Sequence, residues 1–362
     1  MKHPTAIVVL MLAIAACAAT HSGQVALGEA AMESETHYVR ITDDAGAGGY
    51  EAFPDVTRLS NGDLFCVFYA GYGHVSAPNE NLPKGGRVCW MRSRDNGRTW
   101  TQPKVLVDTD VDDRDPSVMQ TGDGTLICNF FTYLPATPGE RGALHFVHII
   151  RSRDNGETWA AEPQLVQPTE DAKYACSAPI LELPNGELIL PLYFVREGQP
   201  SKTGLVRSRD GGKTWGDFVV IDAESDHQHD SEPHIIRLPD GRLFTTMRPC
   251  MCQSYSSDDG HTWTPPQPTG FEGHAPYHVV TREGLLLCAH RLPHTALHIS
   301  KDLGATWNGP YVIDEVIGSY PSMVELADGT IFCVYYEEGE GSSIRATWFR
   351  ARPDGIDFVR PE

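Results

Sequence analysis

Beyond residues 5–19 the 362-residue sequence has no apolar run long enough to cross a bilayer, which excludes a multi-span helical membrane protein. Positive charge is scarce. Against 48 Asp and Glu there are 29 Lys and Arg, a formal net charge of −19. Such a chain has no footprint for nucleic acid, and an anionic ligand must be gripped by a few placed arginines. An apolar share of 41% excludes a disordered or collagen-like chain, and Gly (34) and Pro (26) are ordinary in number. Paired cysteines at zinc-finger spacing are missing, since Cys250-Met251-Cys252 has no second pair. Cys66, Cys128, Cys288 and Cys333 each fall four residues after the Gly of a repeated turn, where burial in a strand explains them. His227-x-His229 with His234 has no spacing that forces a metal site. Neither a metal nor a cofactor is expected.

The one long apolar run, TAIVVLMLAIAACAA after Lys2, reads as a secretory core segment rather than a spanning helix. Its end, Ile14-Ala15-Ala16-Cys17, resembles a bacterial lipoprotein box, which implies cleavage before Cys17 and lipidation of that residue. Residues 1–17 are thus expected to be a lipoprotein-type signal and 18–36 a flexible tether of small and polar residues. The remainder is expected to be an exported, lipid-anchored domain of the cell envelope, acting as a monomer.

Two interleaved repeats organise residues 37–362. The first is Ser-x-Asp-x-Gly-x-Thr-Trp, present as SRDNGRTW (93–100), SRDNGETW (152–159), SRDGGKTW (208–215), SSDDGHTW (256–263) and SKDLGATW (300–307). Ser and Asp suit the capping of a tight turn, Gly supplies positive φ, and Trp plugs the adjoining core. Five identical turns argue for structure rather than for five aspartates at work. The second repeat opens with Pro and runs through a Gly turn into an apolar strand, starting at Pro54, Pro116, Pro179, Pro233, Pro276 and Pro321. The prolines are spaced by 62, 63, 54, 43 and 45 residues. Six hairpins at this period, with about four strands per module, predict an all-β, six-bladed β-propeller of four-stranded antiparallel blades. The sixth module has no Asp-bearing turn, so an early segment such as HYVRIT (37–42) is expected to complete it.

These boxes resemble the Asp-box (BNR) repeats of the sialidase, or neuraminidase, superfamily, and the resemblance covers nearly the whole chain after residue 36. In such a hairpin the residues flanking each Pro share one end of the propeller with the end of the returning strand. That ring reads Phe53/Asp55, Asp115/Ser117, Ala178/Ile180, Glu232/His234, Ala275/Tyr277 and Tyr320/Ser322. The returning strands add Tyr69, Tyr133, Arg196, Arg248, His290, Arg291, Tyr336 and Glu337. Arginines here would hold a carboxylate by forked hydrogen bonds. A tyrosine deprotonated by a carboxylate could attack an anomeric carbon that already bears a carboxylate, where an anionic nucleophile would be repelled.

The resemblance assigns roles one residue at a time. Glu232 and Arg248, sixteen residues apart in SEPHIIRLPDGRLFTTMR, look like the nucleophile's base partner and one carboxylate-binding arginine. Tyr320 in GSYPSMVELADGTIFCVYYE looks like the nucleophile, and Arg291 lies near the place of another arginine. Asp115 matches the second module's Asp-Pro-Ser. Two departures stand out. The family's opening Arg-Ile-Pro is Ala52-Phe53-Pro54 here, and the loop that carries its acid/base Asp reads GYGHVSAPNEN, with Ser76 before Ala77-Pro78. Arg114 is a candidate for the absent arginine, and Asp55, Asp115, Glu80 or His74 for the acid. His234, His290 and Tyr277 are candidate substrate contacts on the ring. The implied function is a retaining exo-glycosidase taking a terminal acidic sugar such as sialic acid from a glycan. A hydrolase or uronate lyase of other specificity, with a His/Tyr pair moving protons, and a non-catalytic glycan-binding propeller are the alternatives.

Overall fold

The structure, a computed structural model, describes residues 37–134, 144–221, 232–248, 250–339 and 342–359. The expected signal, tether and Cys17 lie outside the described residues, as do His227 and His229. What is described is all strand and turn, arranged as six antiparallel sheets around an axis.

The first blade is Tyr50–Arg58, Leu64–Gly71, Arg87–Ser93 and Lys104–Val107, and the second is Asp112–Gln120, Leu126–Leu134, Leu144–Ser152 and Gln164–Val166. In the third, Ala172–Ala175 and the short Leu181–Glu182 both pair with Leu188–Arg196, followed by Lys202–Ser208 and Gly216–Val220. The fourth is His234–Arg237, Leu243–Met247, Cys252–Ser256 and Gln267–Pro268; the fifth is His274–Val280, Leu286–Arg291, Thr295–Ser300 and Asn308–Asp314. In the sixth, Gly318–Glu325, Ile331–Glu337 and Ile344–Arg352 are joined by the early strand Tyr38–Thr42, which pairs with Ile344–Thr347. Gly355–Phe358 takes the other half of the same edge. The segment expected to complete the last module therefore does so, tying the start of the domain to its end.

The repeated turns act as staples between blades. In the first, Ser93 Oγ donates to Asp95 Oδ1 (2.7 Å) and accepts from Gly97 N (2.8 Å), while Asp95 takes both the amide and the hydroxyl of Thr99. The same pattern recurs at Asp154, Asp210, Asp258 and Asp302. A Cβ on Gly97 would meet the Phe332 ring of the sixth blade at 2.5 Å, and one on Gly156 would meet Phe65 of the first at 2.5 Å. Only glycine lets the turn sit this close. The carboxylates of these turns are consumed by backbone capping.

One expectation about the strands needs correction. In four of the six blades the innermost strand does not start at the proline. Tyr50–Arg58, Asp112–Gln120, His274–Val280 and Gly318–Glu325 all begin earlier and slip register at the Pro. A bulge leaves the residue unpaired there, so the N–H that Pro lacks is not missed by the ladder. Cys250 and Cys252 form a disulfide, a pairing the sequence reading did not anticipate. The four cysteines placed after Gly turns are buried and free.

Candidate active site

At five of the six prolines the preceding residue has positive φ: Phe53 (52°), Asp115 (46°), Glu232 (29°), Ala275 (50°) and Tyr320 (40°). None is glycine, and each such residue costs about 1–3 kcal/mol that the surrounding sheet must offset. A fivefold repeat of the same strain is the way this fold aims side chains at its axis. All five residues line one axial cavity of about 20 Å³, room for a single water, together with Asp55, Ser117, Ser177 and Tyr277.

Tyr320 of the sixth blade and Glu232, just before the first strand of the fourth, meet at that ring. The Tyr320 hydroxyl donates to Glu232 Oε1 in a short hydrogen bond. Arg248 Nη2 lies 2.9 Å from the same oxygen. Glu232 is 4% exposed, and its Oε2 is buried without a hydrogen-bond partner. Burial, with Glu232 and Asp115 nearby, pushes the Tyr320 phenol well above its ordinary range, so at rest the oxygen keeps its proton. Arg291 lays its guanidinium 5.2 Å from the centre of the Tyr320 ring, and its Nε is buried without a partner. Its Nη1 reaches only the Gly318 carbonyl, at 3.5 Å. Among the described residues no carboxylate ion pair is recorded for it.

Arg114 occupies the second-blade position equivalent to Ala52 in the first: both stand two residues before the Pro, opposite Phe131 and Tyr69 respectively. Its guanidinium leans back into the first blade. It lies 5.2 Å from the Phe53 ring centre and 5.8 Å from that of Tyr69, and donates to the His74 carbonyl. The guanidinium of a second-blade residue thus lies beside the first-blade rings next to Ala52. It is matched by Asp112 and Asp115, each 3.7 Å away. Asp115 is 4% exposed, with burial and Glu232 raising its pKa to about 6 against the pull of Arg114. Ser177 donates to its Oδ2 at 2.9 Å, and Oδ1 has no hydrogen-bond partner.

Asp55 and Tyr277 line the axial cavity, whereas the ring candidates His234, His290, Arg196 and Glu337 do not. Asp55 accepts from Ser322 Oγ at 2.6 Å and from Val118 N at 2.7 Å, which ties three blades together and leaves it no free oxygen for chemistry. Tyr277 lies with this same Asp55 in the cavity lining. His234 is buried, its Nδ1 taking the His278 amide at 2.8 Å, and His290 is buried with Nε2 2.8 Å from His298 Nδ1. Alternation along each strand turned these rings into the sheet interior instead of the mouth. Arg196 is spent on Asp171 at 2.7 Å and Glu337 on Arg345, both away from the ring. Ser76, fully buried, folds its hydroxyl into its own loop, accepting from Tyr72 N and donating to the Gly73 carbonyl.

The sequence reading passed over Tyr193, on the returning strand of the third blade. Burial pushes its phenol well above the ordinary range, with Asp115, Glu232 and Arg248 among the charges acting on it. It also passed over Tyr50 and Glu338, which flank His74: Tyr50 Oη lies 3.3 Å from His74 Nδ1 and donates to Glu338 Oε1 at 2.9 Å. No repeat marks these positions, so only the folded chain brings them together.

A six-bladed propeller with a tyrosine, a buried glutamate and converging arginines on its axis defines a protein of the sialidase superfamily. The BNR repeat-like domain family matches residues 90–333, and the chain belongs to it. It is 26% identical over 349 residues to a sialidase of Micromonospora viridifaciens, covering 82% of this chain and 52% of that protein. A protein of unknown function from Dyadobacter fermentans superposes with a TM-score of 0.72 at 20% identity, over 87% of this chain and 98% of the other. A leech intramolecular trans-sialidase complexed with 2,7-anhydro-Neu5Ac superposes with a TM-score of 0.68 at 14% identity, over 87% and 70%. At such identities the structural likeness carries the fold. The chain spans about half the length of the curated relatives it matches.

Proposed function

We propose that this chain is an exo-glycoside hydrolase that removes a terminal acidic sugar, sialic acid or a relative, by a retaining mechanism. The observation that carries the reading is the Tyr320–Glu232–Arg248 contact on the axis. A neutral phenol can approach an anomeric centre that bears a carboxylate without like-charge repulsion. As Tyr320 Oη bonds to that carbon and the glycosidic C–O bond breaks, Glu232 Oε1 takes the phenolic proton. Arg248 Nη2, 2.9 Å from that oxygen, stays beside Glu232 as the proton moves. Arg291 and Arg248 would hold the sugar carboxylate, Arg291 being the freer of the two. Arg114, backed by Asp115, replaces the first-blade arginine from one blade over.

Phe53 favours a second reading within the same class. Its ring stands 5.0 Å from that of Tyr320 and takes up space beside the nucleophile. This supports an acidic sugar with a smaller substituent than sialic acid as the preferred substrate. Residues 1–17 are proposed to direct export and Cys17 to carry a lipid anchor, with 37–362 acting as the monomeric catalytic domain.

The test is release of a fluorescent aglycone from a panel of acidic aryl glycosides, sialoside and uronides included, beside Tyr320→Phe. The reading expects one acidic glycoside to be cleaved and Tyr320→Phe to lose about 10³-fold or more in kcat. Undiminished release by Tyr320→Phe removes the assigned nucleophile. An unsaturated uronate product, seen by its absorbance, supports the lyase. Silence with retained glycan binding supports a binding propeller.

A further inference from the structure

Building on this reading, we propose that His74 is the proton donor to the departing oxygen and the base that later activates water, in place of the aspartate that the first-blade loop lacks. The loop between Leu64–Gly71 and Arg87–Ser93 carries His74, which is exposed and whose carbonyl accepts from Arg114. Its ring stands edge-on to Phe53 at 5.3 Å, while Tyr320 stands edge-on to the same ring at 5.0 Å. Phe53, which lines the axial cavity beside Tyr320, is thus the shared neighbour of the nucleophile and the imidazole.

The imidazole is held as a positioned catalytic base needs to be. Tyr50 spends its only proton on Glu338 Oε1, so its oxygen accepts from His74 Nδ1–H. Glu338 is itself fixed by Tyr336 Oη on its other oxygen, at 2.6 Å. The bare nitrogen is then Nε2, which faces Arg114 Nη2 at 3.4 Å. This carboxylate–hydroxyl–imidazole chain orients a histidine and fixes its tautomer, as the carboxylate does in serine-hydrolase triads. The competing acids are less well placed. Asp55 has no free oxygen, Asp115 is sunk beneath Arg114, and the Ser76 hydroxyl is used within the loop.

The groups that face His74 also couple its charge to the ligand. Partial desolvation of the ring and Arg114, with smaller effects of Arg291 and Arg248, lower its pKa, while Glu338 raises it. An anionic sugar bound to those arginines cancels part of their field and lets Nε2 take up a proton. In the first step the Tyr320 Oη–carbon bond forms, the bond to the leaving oxygen breaks, and the Nε2 proton passes to that oxygen. In the second, water attacks the carbon, its proton goes to Nε2, and Glu232 returns its proton to Tyr320 as the tyrosyl bond breaks.

Two leaving groups separate this role from a structural one. A nitrophenyl glycoside of the cleaved acidic sugar needs no acid, whereas the matching alkyl or disaccharide glycoside does. For His74→Ala and the polar variant His74→Gln the proposal expects about 10²-fold or greater loss of kcat/KM on the alkyl glycoside. The nitrophenyl glycoside should lose less than about tenfold in its glycosylation step, and the pH limb set by the imidazole should vanish. Equal losses on both substrates, or none on either, overturn the proposal and leave the Tyr320 reading standing. If the wild-type protein cleaves neither, that reading falls and His74 falls with it.

Discussion

In the first two blades the polar groups sunk beside the axis are carboxylic acids. Burial raises Glu51 and Asp113 to about 7, Asp55 and Asp115 to about 6, and Asp112 above its ordinary range. In the fourth and fifth blades, Glu232 aside, they are imidazoles. Burial lowers His234 to about 3 and His290 and His298 to about 4, and pushes His278 well down. The two halves therefore treat their arginines differently. Arg114 is bracketed by Asp112 and Asp115, whereas Arg291 emerges beside neutral histidines with no carboxylate ion pair recorded among the described residues. The Arg114 flank carries its own counter-charges, whereas on the other Arg248 pairs with Glu232 and Arg291 lies over the Tyr320 ring.

That contrast breaks most visibly at its two arginines. Arg114→Ala strands two buried carboxylates, and loss of one partner from such a cluster costs about 3–5 kcal/mol. Urea unfolding should show this as a lower midpoint. Arg291→Ala should leave the midpoint nearly unchanged and instead raise KM for the acidic sugar by about 10–100-fold, the value of a charge-assisted hydrogen bond of about 1.5–3 kcal/mol. If the two variants behave alike, the division of labour between the flanks is wrong.

Asp55 gives a smaller test within the acidic half. Asp55→Asn keeps the shape but removes an acceptor from the Ser322 and Val118 bonds. A cost of about 1–3 kcal/mol in unfolding free energy is expected, with kcat of the folded protein retained. A large fall in kcat at full stability would return Asp55 to the chemistry.

The smallest effect is on pH. The folded pKa values of His234, His290 and His298 lie below the unfolded value of about 6.5, so the unfolded chain gains protons first as pH falls. Their contribution is present above pH 6.5 and drains away toward about pH 4 and below. Asp55 and Asp115 have the opposite sign: their folded pKa is raised, and the stability they lend near pH 4 is lost as pH rises through about 6. His234→Asn keeps an acceptor for the His278 amide and removes one titration. Its melting temperature should fall less between pH 7 and pH 4 than that of the wild-type protein. An unchanged slope would mean that His234 is not held neutral.

The blades were legible in the sequence because each rests on a local device, a capped turn with Gly at positive φ and Trp in the next core. Tyr320, Glu232, Arg248 and Asp115 were legible because the Pro that follows or trails them in each module fixes their height on the axis. The bulges were not, since a Pro reads as a strand start until the pairing on both sides of it is seen. His234 and His290 were misplaced because alternation gives a face but not which side of the sheet meets the mouth. Tyr50, Glu338 and Tyr193 carry no repeat signature, and their meeting with His74 and Asp115 depends on closing the ring.

The central claim is that the Tyr320 oxygen becomes bonded to the sugar during turnover. Incubation with a fluorinated, slowly released derivative of the cleaved acidic glycoside, followed by digestion and mass spectrometry, reads this directly. The account predicts the mass of one sugar on the peptide that contains Tyr320, absent in Tyr320→Phe. An adduct on another residue, or active turnover with no adduct at all, would contradict it.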